Sequence, residues 1–337
     1  MKVCFFSSPI GLGHVTRDIA IAEYLDVKPS FVTGGGAARL LQKLGMDVRD
    51  VYTPPPFSTS NGTLQNQTRW LWEYYRYYRD CKGVAQKIIT DGRPDVIVSD
   101  EDFASLAVAQ DEGIPSVLIT DILETRFTGG LASLVEKKMN KSMRSIMQKC
   151  DLVILPEHGK NHGNTRRVGP IVRKVGDSRD GLRKKFSFGK KTIVVSIGGT
   201  DAGVFLIEAV LRHAAGTDAD VVIVSGPEVT KKFPGAQNMG FVENLHEVIL
   251  AADVLVSLAG RSTIDEARAY GTPAIFIPIR GHFEQEDNAK REGFAHGDIG
   301  RLGELLAEKL QEGRGSMHAG GAETAAGLIN HTVGSNA

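Results

Sequence analysis

Two glycine-containing turns lie far apart in this chain and end in different chemistry. Near the start, the strand-like run Lys2-Val3-Cys4-Phe5-Phe6-Ser7 leads into Gly11-Leu12-Gly13-His14 and then a helical pattern. Near the other end, Asp253-Val254-Leu255-Val256-Ser257 leads into Ala259-Gly260-Arg261-Ser262-Thr263, and the helix that follows carries Glu266. A strand–turn–helix junction presents main-chain N–H groups at the positive end of a helix dipole, a setting that attracts phosphate. One junction adds an imidazole; the other adds a guanidinium and a carboxylate. Together they suggest two lobes with a cleft between them.

The first turn, Gly11-Leu12-Gly13-His14-Val15-Thr16-Arg17, is not a dinucleotide fingerprint. Thr16 stands at the third glycine position, and Thr33-Gly34-Gly35-Gly36 replaces the acid expected after the second strand. It reads better as a catalytic turn. At a helix start the dipole is expected to lower the pKa of His14 and favour the neutral imidazole that a general base requires. A capping or packing histidine is the other reading. The run Asp95-Val96-Ile97-Val98-Ser99 ends in Asp100-Glu101-Asp102. One of Asp100, Glu101 and Asp102 could act as base or orient a hydroxyl, and Asp102 suits equally a cap on the next helix. Asp121, after a later strand, raises the same question.

In the second turn, Ser262 is read as an N-cap with Asp265 three residues on, like a capping box with a shorter acid. Gly260 allows close backbone approach, and Arg261 carries a planar fork suited to phosphate. Glu266 follows Ser262 by four residues, about 5–6 Å along the same helix face, where it could meet ribose hydroxyls beyond the phosphates. An ordinary capped helix with a surface glutamate fits the same spacing. Gly198-Gly199-Thr200 follows another strand and forms a second candidate anion turn. In the helix starting near His282, Gln285 and Asn288 share a face, and their amides could bind sugar hydroxyls. A plain polar helix start is the alternative.

Short apolar runs position these turns. Strands are expected at Val3–Ser7, Ser30–Thr33, Asp95–Ser99, Ser116–Thr120 and Leu152–Leu155, then at Thr192–Ile197, Val221–Ser225, Val254–Ser257 and Ala274–Pro278. Most are apolar throughout, as strands buried on both faces should be. Helices such as Phe103–Asp111, Leu206–Ala214 and Ile264–Tyr270 alternate with them, the rhythm of doubly wound α/β sheets. The 337 residues and 42% hydrophobic content suit two cores. The stretch Pro156–Phe188 shows no element and reads as an interdomain connection. The expected division is residues 1–168, residues 172–315, and a tail helix within 316–337 packing back on the first domain.

The formal net charge is zero, which argues against an electrostatic nucleic-acid binder. Cys4, Cys81 and Cys150 have neither metal spacing nor a disulfide framework, so a reducing cytoplasm is expected. No His/Asp metal constellation stands out, and no cofactor or metal is expected. No segment has the roughly 20 apolar residues of a spanning helix. Any membrane role is therefore expected to be peripheral, through Trp70, Trp72, Tyr74 and Tyr78 in an aromatic–arginine helix. Pro54-Pro55-Pro56 and Ser58–Gly62 before it read as a mobile acceptor loop.

The ordered set Gly240-Phe241-Val242, Ala251–Ser257, Gly260–Ala267, Gly271-Thr272-Pro273-Ala274, Glu284-Gln285 and Asn288-Ala289 resembles the donor half of GT-B glycosyltransferases related to the lipid II-forming N-acetylglucosaminyltransferase. The resemblance covers most of the second lobe and implies a GT-B fold, two Rossmann-like domains facing a cleft. It implies that Glu266 binds ribose and that backbone at Phe241-Val242 meets uracil. It assigns the diphosphate to Gly198–Thr200 and Gly260–Thr263, and the donor sugar to Glu284, Gln285 and Asn288. The family has two glutamines where this chain has Glu284-Gln285, a departure at the donor sugar. In the first lobe the family carries a glycine-rich turn ending in Gly-His, which implies that His14 faces the donor across the cleft or helps deprotonate the acceptor; Gly11, Gly13 and Arg17 are expected to form the acceptor or glycine turn. The expected activity is inverting, metal-independent transfer of N-acetylglucosamine or a related hexose from a UDP-sugar to an acceptor hydroxyl, on a lipid-linked glycan or glycolipid. A UDP-sugar epimerase and a non-catalytic nucleotide-sugar binder are the alternatives.

Overall fold

A computed structural model describes residues 1–127, 133–199, 201–226 and 229–334. The first elements in chain order are β1 (Val3–Ser7), α1 (Gly13–Ala22), β2 (Ser30–Thr33), α2 (Gly35–Lys43) and β3 (Val48–Asp50). A hairpin, β4 (Ser58–Ser60) and β5 (Thr63–Gln65), precedes the long α3 (Gln67–Gly92). Next come β6 (Val96–Asp100), α4 (Phe103–Asp111), β7 (Ser116–Ile119), α5 (Ser133–Lys149), β8 (Leu152–Leu155) and β9 (Thr165–Arg167). The second half holds α6 (Arg179–Phe186), β10 (Lys191–Ser196), α7 (Val204–Ala214), β11 (Ala219–Val224) and β12 (Gln237–Gly240). It continues with α8 (Leu245–Ala251), β13 (Val254–Ser257), α9 (Arg261–Tyr270), β14 (Ala274–Phe276), α10 (Phe283–Arg291), α11 (Leu302–Lys309) and α12 (Gly321–Gly334).

The chain divides into two compact units. Unit 1 comprises Met1–Pro56, Asn66–Val172 and the described residues from Ala319 on; unit 2 comprises Phe57–Gln65 and Arg173–His318. Among the described residues, unit 1 is built on a parallel sheet in the order β3-β2-β1-β6-β7-β8-β9. Unit 2 has a parallel sheet in the order β12-β11-β10-β13-β14. In both, the order reverses beside the first strand, and the central strands β1, β6, β7, β8 and β13 are buried at every position. That burial explains their uninterrupted apolar sequence. Each of these strands ends, at its carboxyl edge, in the loop that carries polar side chains, where open α/β sheets place ligands.

Three features differ from the sequence reading. The stretch Pro156–Phe188 is not featureless: it contains β9 and α6, with Ser178 accepting from Gly181 N–H as the α6 cap. Only Leu182 of α6 is buried and β9 is partly exposed throughout, so neither produced an apolar run. The strands without a sequence signal, β3, β9 and β12, are all sheet edges. Edge strands are short and half-solvated, so charge and amide side chains replace the hydrophobic pattern. Finally, Ser58–Gly62 is not an irregular loop. It forms β4 and the turn of an antiparallel hairpin that belongs to unit 2, with Asn61 and Gly62 both at positive φ in its turn.

The C-terminal helix α12 lies in unit 1, against α1. Its first residue must be glycine, because a Cβ there would sit 2.4 Å from the Pro170 carbonyl oxygen. Among the described residues no helix is long and apolar enough to cross a membrane.

Candidate active site

In unit 1, β1 and β6 are neighbours with Ser7 opposite Asp100, so the turn into α1 and the end of β6 meet. Asp100 is wholly buried. Its carboxylate accepts from His14 Nδ1 at 2.8 Å and from Arg17 Nε and Nη2 at 2.5 Å. Arg17 Nη1 donates to Asp121 at 2.7 Å. His14 and Arg17 are three residues apart and share one face of α1, so a single helix turn delivers both to one carboxylate. Burial would raise the Asp100 pKa, but Arg17 and His14 overcome it and hold the group well below the ordinary carboxylate range.

His14 is not the neutral imidazole expected from its place at a helix start. Burial lowers its pKa, yet contact with Asp100, with Glu101 adding to it, holds the imidazole at about 9. A helix dipole contributes about 0.3–1 kcal/mol at a terminus, under one pKa unit, and a touching carboxylate in a dry site outweighs it. His14 keeps 18% of its side-chain exposure, and Nε2 points towards Glu101 Oε2 at 3.9 Å. Glu101 is fixed by Thr120 Oγ1 at 2.9 Å and lifted to about 7, chiefly by burial, with His14 opposing. Its φ of +58° is a strained backbone for glutamate at the end of a central strand. Asp102 takes the capping role: its side chain accepts from the N–H groups of Ala104 and Ser105. Gly11, at φ +81°, shapes the turn, and Gly13 is the first residue of α1.

In unit 2, α9 begins at Arg261 with Gly260 as N-cap. Ser262 is therefore inside the helix rather than capping it. Asp265 pairs with Arg261 Nε at 2.9 Å, a side-chain hydrogen bond one turn apart. Glu266 is not on the surface. It is 3% exposed, its Oε1 has no hydrogen-bond partner, and burial raises its pKa to about 8, with Arg173 opposing and Asp265 reinforcing. A buried unsatisfied carboxylate is costly, and such groups call for a functional reason.

The neighbouring turns have open backbone. Gly198 has φ +76° and no atom within 4 Å of where a Cβ would be. Thr200 lies outside the described residues. Phe241 and Val242 follow Gly240 at φ +66° and are partly buried. The amide pair of α10 is partly engaged. Gln285 Oε1 accepts from Ile279 N–H at 3.0 Å, and Asn288 is buried and donates to the Ala259 carbonyl at 3.2 Å. Asn288 thus ties α10 to the loop before α9, and Gln285 is held through its oxygen, which leaves its NH2 as the group for a ligand. Glu284 is partly buried at the start of the same helix.

Sequence reasoning missed two contributors to unit 2. Arg173 donates to the Glu243 carbonyl at 2.8 Å, beside the Phe241-Val242 turn, and is the charge that most favours ionised Glu266. Its position in an apparently featureless connection gave no local signal. Gly226 packs its backbone on the Gly198-Gly199 turn: a Cβ there would lie 2.4 Å from the Gly199 carbonyl carbon. Of the proposed membrane contacts, Trp70 is withdrawn. It is 8% exposed, stacks on Tyr74 at 5.1 Å and donates Nε1–H to the Pro55 carbonyl. Tyr74 and Tyr78 are partly buried, whereas Trp72 is 54% exposed.

Residues 192–313 match the glycosyltransferase family 28 C-terminal domain. The chain is 26% identical over 328 residues to an uncharacterised glycosyltransferase of Methanosarcina mazei, covering 87% of this chain and 84% of that one. It is 30% identical over 249 residues to the UDP-N-acetylglucosamine–N-acetylmuramyl-(pentapeptide) pyrophosphoryl-undecaprenol N-acetylglucosamine transferase of Geobacillus thermodenitrificans, covering 67% of this chain and 64% of that one. Among solved structures it resembles the glycosyltransferase SnogD of Streptomyces nogalater, with TM-score 0.61, 17% identity and coverage of 99% and 95%. It also resembles the MurG of Acinetobacter baumannii, with TM-score 0.54, 15% identity and coverage of 98% and 99%. These likenesses bear out the GT-B fold expected from the sequence.

Proposed function

We propose, from the premise that the chain is a GT-B glycosyltransferase with a family 28 C-terminal domain, that it transfers a hexose from a UDP-sugar to an acceptor hydroxyl with inversion. The observation that carries this is Glu266 in the second turn of α9, whose buried Oε1 lacks a hydrogen-bond partner among the described residues. A ribose diol supplies the missing hydrogen bonds. The main-chain N–H groups of the Gly198 and Gly260 turns would hold the diphosphate, and Arg261 would add charge there. Leaving-group charge grows on that diphosphate, so donors fixed in advance stabilise the transition state without reorganising.

In unit 1 the reading makes His14 the base that takes the acceptor proton on Nε2 in the fraction of molecules whose ring is neutral, a fraction that grows as pH rises towards about 9, with Asp100 holding Nδ1–H and stabilising the imidazolium that forms. Arg17 and Asp121 keep Asp100 in place. Glu101, beside Nε2, would receive a hydrogen bond from the acceptor. Metal independence is part of the proposal, the N–H donors and Arg261 doing the work of a cation. N-acetylglucosamine as the sugar and a lipid-linked glycan as acceptor are suggested by the substrate names of the Geobacillus relative. Trp72 is the exposed aromatic through which α3 would touch a membrane surface.

A thermal-shift panel of UDP-, GDP-, ADP- and dTDP-sugars tests the donor. Ligand at ~100 times its dissociation constant adds about 2.7 kcal/mol of stability. Only UDP compounds should shift the protein, and Glu266→Gln should abolish the shift. With a transferred sugar in hand, His14→Ala should cost about 10²–10⁴-fold in turnover while leaving UDP binding intact. A response to none of the four nucleotides refutes the reading.

A further inference from the structure

The hairpin β4–β5 comes from the first half of the sequence and is built into unit 2. Its β5 strand runs alongside the segment after β14. Leu64 N–H donates to the Arg280 carbonyl and Arg280 N–H donates to the Gly62 carbonyl, both at 2.8 Å. Several neighbouring main-chain groups on that segment are tied as well. The Pro278 carbonyl meets His296 Nδ1 at 2.8 Å, Ile279 N–H meets Gln285 Oε1, and Gly281 N–H meets Glu286 Oε1 at 2.9 Å. Phe57 packs on His282, the N-cap of α10, with ring centroids 5.6 Å apart.

The other side of the hairpin reaches the glycine turn. The strand β4 lies against Asp201–Gly203, which follows directly on Gly198–Thr200. Gly62 fits against Phe205 and His296 so closely that a Cβ would come within 2.9 Å and 3.0 Å of their rings. Leu64 is 7% exposed and pairs with Thr59 on the inner face. The hairpin therefore joins the two loops that frame the sugar end of the proposed donor site. Because Gln285 presents its NH2 only while its oxygen is held by Ile279 N–H, the segment Pro278–Gly281 sets where that amide points.

We propose that the Phe57–Gln65 hairpin is a positioning element for the donor sugar, orienting Gln285 through Arg280 and so governing which activated hexose is accepted, while the nucleotide is gripped independently of it. The proposal rests on the donor reading given above. It separates two affinities that a simple structural brace would change together. The hairpin's hydrogen bonds to Arg280 lie on the α10 side of the site, next to the Ile279 N–H that Gln285 accepts from.

The test is calorimetric binding of UDP and of UDP-N-acetylglucosamine, UDP-glucose and UDP-N-acetylgalactosamine to the full chain and three variants. Gly62→Val forces a side chain into Phe205 and His296 at a backbone of φ +70° and lifts the hairpin. Leu64→Ala trims the inner face without a clash and gives the same reading if the valine variant fails to fold. Asn61→Gly, at the exposed tip with φ +47°, keeps the turn and serves as control. We expect the first two to leave UDP affinity within about twofold, to weaken the preferred UDP-sugar about tenfold, as loss of one or two hydrogen bonds implies, and to flatten discrimination among the three sugars. Equal losses for UDP and UDP-sugars, or no change in either, overturns the hairpin's role and leaves the donor site standing. Wild-type protein that binds none of the four compounds overturns the donor reading and the hairpin's role with it.

Discussion

Replacing Asp100 by Asn should move the titration of His14 by several pH units. The rise of the imidazole from 6.5 to about 9 depends on Asp100, in contact at 2.8 Å, with a lesser share from Glu101. At 1.36 kcal/mol per unit that rise corresponds to about 3 kcal/mol of interaction between imidazolium and its surroundings. A folded pKa above the unfolded one stabilises the native state in full below pH 6.5. The contribution falls as pH climbs towards 9 and is absent beyond it. With Asn in place, burial and Arg17 both act against the charged ring, so the midpoint should fall to 6.5 or lower. The assay is a pH titration of histidine Cε1–H resonances by NMR, with His14 picked out of nine histidines by its loss in His14→Gln. Asp121→Asn, which takes a carboxylate from Arg17 but not from the imidazole, should move the midpoint far less. A wild-type midpoint at or below 6.5, or one indifferent to Asp100, would refute the reasoning. In a transferase that uses His14 as base, kcat/KM should rise with pH to a plateau above about pH 9, and this acid limb should move to lower pH in Asp100→Asn if that variant retains turnover.

Glu266→Gln should raise thermal stability while removing nucleotide affinity. An acid lifted from 4.5 to about 8 destabilises the fold increasingly as pH rises between those values, so the gain should be larger at pH 8 than at pH 5 by scanning calorimetry. Gly226→Ala should press on the Gly199 carbonyl and weaken UDP binding in a thermal-shift titration, because its Cβ would meet backbone that cannot swing aside. The two tryptophans of α3 should behave oppositely in urea unfolding. Trp70→Ala should cost roughly 3–5 kcal/mol as a buried aromatic, and Trp72→Ala should stay within about 0.5 kcal/mol as an exposed one. If α3 meets membranes through Trp72, that same variant should bind anionic vesicles less well at unchanged stability.

The central strands were legible because burial on both faces demands unbroken apolar runs, and β1, β2, β8 and β13 have the limits their sequences suggest. The turns at Gly11 and Gly198 were legible for a related reason: positive φ leaves glycine as the residue that fits without strain, whereas Gly260, at φ −74°, is not a position that demands it. Local sequence also placed His14 at the start of α1 and Glu266 one turn into α9. It could not give their charge. The state of His14 follows from a carboxylate 86 residues away, and that of Glu266 from burial and from Arg173, which lies 93 residues before it. Edge strands escaped notice because solvent on one side relaxes the pattern. The hairpin escaped because its polar sequence describes a turn and says nothing of which sheet it will join. Periodicity and glycine report what a residue needs from its immediate backbone. Protonation, orphaned oxygens and the allegiance of the hairpin to Arg280 depend on partners that only folding brings within a few ångströms.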